Sequence, residues 1–89
     1  MRTIHIRISG KVQGVFFRAS AKEIADKLKI TGWVKNTPEG DVEIMAEGVP
    51  DNIEKFIQWC KKGPSNAVVS HLDFIEAEPA NLGKFRILK

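Results

Sequence analysis

The sequence has no tyrosine, a single cysteine, and no acidic residue before Glu23. Each absence excludes something. A lone Cys60 cannot close an intramolecular disulfide, and one thiol gives no metal-ligand pattern. No apolar run approaches the roughly 20 residues of a membrane-spanning helix. The opening "MRTIHIRISG" alternates where a secretion signal needs a continuous apolar block. The expected location is therefore the cytoplasm, with no membrane partner. With 89 residues, the chain is long enough for one domain, spanning 1–89, and too short for two.

The missing acids leave a purely basic leading segment. Arg2, Arg7, Lys11, Arg18 and Lys22 all precede Glu23, although the net charge is only +3. Such a segment is either a chance clustering in a short chain or an end of the molecule that meets an anion.

Periodicity supplies the elements. Ile4, Ile6 and Ile8 alternate with His5, Arg7 and Ser9, which predicts a half-buried strand. Phe17, Ala21, Ile24, Ala25 and Leu28 form one apolar stripe of a helix over about Arg18 to Lys29. A strand over Thr31 to Asn36 and another from Val42 flank "NTPEGD", whose proline and glycine suit a tight turn. Pro50 and Asp51 open a second helix, Ile53, Phe56, Ile57 and Cys60 are its buried stripe, and "KKGP" closes it. Ala67 to Glu76 reads as a strand with a bulge near Ser70–His71, since Val69 and Leu72 can both face inward only across one. A short last strand places Phe85 and Ile87 inward.

The order β-α-β-β-α-β predicts an α+β, ferredoxin-like sandwich, an antiparallel sheet with both helices on one face and a short C-terminal strand added. In this topology the first and third strands are antiparallel neighbours. The loop after the first strand and the turn before the third then share one rim, which brings Arg18 toward Asn36.

That loop, "SGKVQGVFFRAS", ends at a helix start, where backbone N–H groups lack partners and the dipole is positive. Glycines allow such N–H groups to converge on an anion, and an arginine matches phosphate oxygens two at a time. The same features fit a helix-leading loop with a surface arginine. Asn36 is similarly double: its amide could bond its own backbone before the turn, or orient a water molecule.

"GKVQGVFFR", at Gly10 to Arg18, followed by "GWVKNTPEGDVEI", at Gly32 to Ile44, resembles the acylphosphatases over nearly the whole chain. The resemblance implies hydrolysis of the carboxyl–phosphate bond of acyl phosphates, giving a carboxylate and inorganic phosphate, without cofactor or metal. It implies that Arg18 binds the phosphate and Asn36 orients the attacking water. Gln13, Gly14, Val15, Phe16 and Phe17 would cradle the phosphate through backbone N–H groups. Lys35 stands where arginine is common in the family. A monomer is expected.

Two other functions suit the same element order. An RNA-recognition domain stacks bases on exposed aromatics of the first and third strands. Here the outward positions are His5, Arg7, Glu43, Met45 and Glu47, so no nucleic-acid partner is expected. A non-catalytic module of a larger maturation protein handling carbamoyl phosphate is disfavoured by the short chain and by the presence of both catalytic residue types. His5 reads as exposed, His71 lies by the bulge with no second histidine or cysteine at metal-ligand spacing, Trp33 and Trp59 read as packing residues at element edges, and Cys60 as core.

Overall fold

A computed structural model describes all 89 residues. The elements run β1 (Arg2–Lys11), α1 (Phe17–Lys27), β2 (Thr31–Asn36), β3 (Val42–Gly48), α2 (Pro50–Lys62), β4 (Val68–Glu76) and β5 (Arg86–Ile87). They form one five-stranded sheet in the order β4-β1-β3-β2-β5. Four strands are antiparallel, as expected, but β5 lies parallel to β2, so the sheet is mixed. Residues 77–85 carry the chain from one edge of the sheet to the other, and this return crossing sets β5's direction.

The alternation in β1 has the expected result. Ile4, Ile6 and Ile8 are fully buried and pack with Val34, Val42 and Ile44 beneath both helices. Phe17, Ala21 and Ala25 of α1 and Ile53, Phe56, Ile57 and Cys60 of α2 close the same core. Burial pushes the Cys60 thiol well above its ordinary range. Phe85 also enters the core, meeting the Phe56 ring edge-on at 6.0 Å. Ile87 does not; it is 42% exposed. Ile87 pairs with Val34 at the edge of the sheet, where it borders an open cavity instead of lying under the helices.

Helix α1 ends two residues before the expected Lys29. Lys29 adopts a left-handed conformation (φ 56°). The N–H of Ile30 donates to the Ala25 carbonyl and that of Lys29 to Asp26, a Schellman closure built without the glycine that usually marks one.

The bulge falls where it is expected. Ser9 pairs with His71 and Gly10 with Val69, leaving Ser70 as the extra residue of β4. Gly10 has φ 126°, and a Cβ there would lie 2.2 Å from the Val68 carbonyl oxygen. This close approach steers the chain out of β1 into the following loop. Gly10→Ala is expected to cost about 2–3 kcal/mol of stability through backbone strain, readable as a lower denaturant midpoint at unchanged slope.

Candidate active site

Between β1 and α1 the chain makes no regular structure, yet it is tightly held. Val12 and Val15 are buried in the core. Gly14 (φ 74°) and Phe16 (φ 64°) both take left-handed backbone conformations. For a phenylalanine this costs about 1–2 kcal/mol, and strain of this kind gathers at functional loops. Phe16 is also the N-cap of α1, and no side chain caps that helix. No acid stands in the first turn of α1, whereas α2 carries Asp51 in its own. The N–H groups of residues 13–19 donate to no acceptor in the protein. A run of uncommitted donors at the positive end of a helix is an anion-binding arrangement.

Side chains tie this loop to the β2–β3 hairpin. Gln13 donates through Nε2 to the carbonyls of Thr37 (2.9 Å) and Asp41 (2.8 Å). The hairpin itself is closed by Thr37 N–H to the Asp41 carbonyl (2.9 Å) and by Asp41 N–H to Thr37 Oγ1 (3.1 Å). Arg7 braces it from outside, donating to Asp41 and Glu39 at 3.0 Å each. The Arg7 hydrogen bond holds the Glu39 carboxyl below the ordinary carboxylate range. With a depressed folded-state value, this contact stabilises above the ordinary range and is lost as pH falls below that range through the lowered folded-state value.

Loop and hairpin together line a cavity of about 460 Å³. Val12, Gly14, Phe16, Phe17, Arg18 and Ala19 come from the loop and α1, and Asn36 from the end of β2. The topology thus brings Arg18 and Asn36, eighteen apart in sequence, to one cavity. Gln13 and Val15 do not line it with their side chains, which are turned to the hairpin and the core; of these two, only the backbone N–H groups are uncommitted.

Arg18 is the one arginine before Glu23 without a carboxylate partner. Arg2 pairs with Glu54 and Glu76, and Arg7 with Glu39 and Asp41. The basic leading segment is therefore mostly paired in the fold, and Arg18 and the exposed Lys11 are its cations without a carboxylate. The Arg18 guanidinium is steadied by a carbonyl instead, its Nη1 donating to Leu88 O at 3.3 Å. Asn36 does not bond its own backbone. Its Oδ1 is buried without a partner, and its Nδ2 donates to nothing in the protein.

Ile87 and Lys89 complete the cavity wall, and Leu88 holds Arg18. No spacing in the sequence links these residues to the loop. Only the parallel pairing Val34↔Ile87 brings them there. A second, mostly polar recess on the other side of Asn36 is lined by Arg7, Lys35, Thr37, Pro38, Glu39, Glu43 and Lys89. No three His, Cys, Asp or Glu side chains gather as a metal-ligand group.

The open face of the sheet carries His5, Met45 and Glu43, as expected. His5 is half-buried rather than free, bonded to Glu43 at 2.6 Å and edge-on to Trp33. Trp33 lies on that face under Lys35, while Trp59 packs against Phe17 and Phe56. Glu47 is buried, accepting from Thr3 and from the Ala80 N–H, because the return crossing covers it.

Comparison with known proteins now decides the family. The acylphosphatase family model matches residues 4–87. The chain belongs to the acylphosphatase family. It is 44% identical to an acylphosphatase of Syntrophus aciditrophicus over 99% of this chain and 93% of that one. It is 41% identical to that of Methylococcus capsulatus over 100% and 98%. Among solved structures, an acylphosphatase from Coxiella burnetii superposes with a TM-score of 0.94 at 44% identity, covering 98% of this chain and 92% of that one. The Bacillus subtilis acylphosphatase superposes with a TM-score of 0.96 at 36% identity, with both chains fully covered. Full-length HypF, in a phosphate- and nucleotide-bound form, contains a similar domain (TM-score 0.89, 32% identity) that spans 12% of its length. The activity is acylphosphatase activity, phosphate release from acyl phosphates, in a ferredoxin-like α+β fold.

The Gln13 cross-link is separable from the core. Gln13→Met is expected to lower stability by about 1–2 kcal/mol, the loss of two hydrogen bonds, because both carbonyls keep a second donor, Gly40 N–H on Thr37 and Thr37 N–H on Asp41. Thermal unfolding of the pair of proteins measures it.

Proposed function

We propose that the phosphoryl group of an acyl phosphate is held by Arg18 and by the backbone N–H groups of Gln13, Gly14, Val15, Phe16 and Phe17, and that Asn36 orients the attacking water. The uncommitted Asn36 amide beside an arginine without a carboxylate is the observation that carries this reading.

Phosphoryl transfer is governed by positioning and by stabilisation of charge on the transferred oxygens. Preorganised donors do this without reorganising at the moment of reaction. Arg18 and the loop amides bind the non-bridging oxygens. Asn36 places the water in line with the leaving group. Water's oxygen bonds to phosphorus as the bond from phosphorus to the acyl oxygen breaks, and the electron pair leaves with the carboxylate. A carboxylate is a weak base and departs without protonation. The cavity wall has no Asp, Glu or His, and the nearest acids, Glu39 and Glu43, are engaged by Arg7, His5 and Lys35. The water's proton therefore passes to a phosphate oxygen of the substrate.

The working unit is one domain over 1–89, acting as a monomer in the cytoplasm without a nucleic-acid or membrane partner. Sedimentation at the 10.0 kDa of a single chain is the expected outcome, and a stable dimer would contradict it.

Phosphate release from benzoyl phosphate is expected to survive a chelator. Arg18→Ala and Asn36→Ala should each lower kcat by about 100-fold or more, the scale for removing one preorganised transition-state contact. Across pH, Glu39→Gln and Glu43→Gln should follow the wild-type profile. A folded, fully active Arg18→Ala protein would falsify the assignment, and a profile displaced in either glutamate variant would return the proton to the protein.

A further inference from the structure

Phe16 has no structural reason to be aromatic. Its side chain is 78% exposed, it contributes nothing to the core, and it occupies a left-handed backbone position that a bulky residue adopts at a cost. Asparagine or glycine would serve the loop better. Phe16 nonetheless lines the cavity that holds Arg18 and Asn36. Ile87 faces the same cavity, 42% exposed, from the edge strand β5. Two large apolar side chains thus border the phosphate cradle from opposite chain segments, with Ala19 also lining the wall.

The polar groups are distributed differently. The recess beyond Asn36 is lined by charged, amide and hydroxyl side chains, with Pro38 its one apolar member. An in-line displacement puts nucleophile and leaving group on opposite sides of phosphorus. Asn36 lies on the wall shared with the polar recess, which suits water. The apolar wall suits the departing acyl group.

We propose that Phe16 and Ile87 form the acyl-group subsite, and that the preferred substrates are acyl phosphates with an apolar acyl group, aryl or branched aliphatic. The proposal rests on the reading of Arg18 and the loop amides as the phosphate cradle. A small acyl group leaves both side chains in water, whereas an aryl group covers them and removes its own apolar surface from solvent. An anionic acyl group would meet this wall without a dedicated partner. Arg7 and Lys35 already pair with carboxylates, and the remaining cation, Lys89, lines both recesses rather than this wall alone.

The test compares benzoyl, acetyl and succinyl phosphate as substrates for the wild type, Phe16→Asn and Ile87→Ser. Asparagine at position 16 keeps the left-handed backbone accessible. Wild-type kcat/KM should rank benzoyl above acetyl and acetyl above succinyl. In each variant the benzoyl-to-acetyl ratio should fall about tenfold, the scale for a few methylenes' worth of apolar contact. An unchanged ratio in both variants overturns the proposal, as does a wild-type preference for succinyl phosphate. If the ratio holds while inhibition by inorganic phosphate weakens, Phe16 belongs to the cradle and the acyl subsite is rejected. A wild-type protein inactive on all three substrates would remove the cradle reading and this proposal together, whereas an unchanged ratio in active variants removes this proposal alone.

Discussion

A loop that leaves its own N–H groups uncommitted cannot use them to hold itself in place. This constraint explains most of what surrounds residues 13–19. With no backbone bonds donated from that run, the loop depends on side chains: Val12, Val15 and Phe17 sunk into the core, and Gln13 fastened to the hairpin. The hairpin must then be rigid enough to serve as an anchor, and Thr37, Asp41 and Arg7 make it so. The bulge at Ser70 and the tight passage at Gly10 set the angle at which the loop leaves the sheet. Preorganisation of this kind is costly in folding free energy and is favourable only where charge develops during a reaction.

Charge is arranged by the same logic. Several cations are matched locally: Arg2 by two glutamates, Arg7 by Glu39 and Asp41, Lys22 by Asp26 one helical turn away. Exposed pairs such as these contribute little stability each, about 0–1 kcal/mol. Their consequence is positional. They leave Arg18 and Lys89 as the cations of the cavity wall without a carboxylate partner, so the positive field is less compensated there than around Arg2 and Arg7.

Most of the fold was legible in the sequence because period-two and helical stripes are local signals. The isoleucines of β1, the stripe of α2 and the bulge implied by Val69 and Leu72 could each be read within a few residues. Arg18 and Asn36 became a pair only through topology, and their chemistry only through the resemblance of two long blocks to a family. What escaped was non-local. Nothing around Ile87 reveals that it borders the cavity rather than the core, since that depends on pairing with β2 more than fifty residues earlier. The end of α1 was hidden because Lys29 takes a conformation usually signalled by glycine. Glu47 looked like an ordinary outward acid on an alternating strand, and it is buried because residues 77–80 fold across it. Arg2 and Arg7 looked available for anions because their partners lie thirty or more positions away.

The contact between Arg18 and Leu88 has an implication for variation. The acceptor is a main-chain carbonyl, which every amino acid carries. Substitutions at position 88 leave that oxygen in place, so the guanidinium's aim is insulated from changes in side-chain identity there. The exposure lies elsewhere: anything that slides β5 along β2 by one residue would carry the oxygen away with it. Tolerance to substitution and sensitivity to insertion or deletion thus coexist at the same point of the chain.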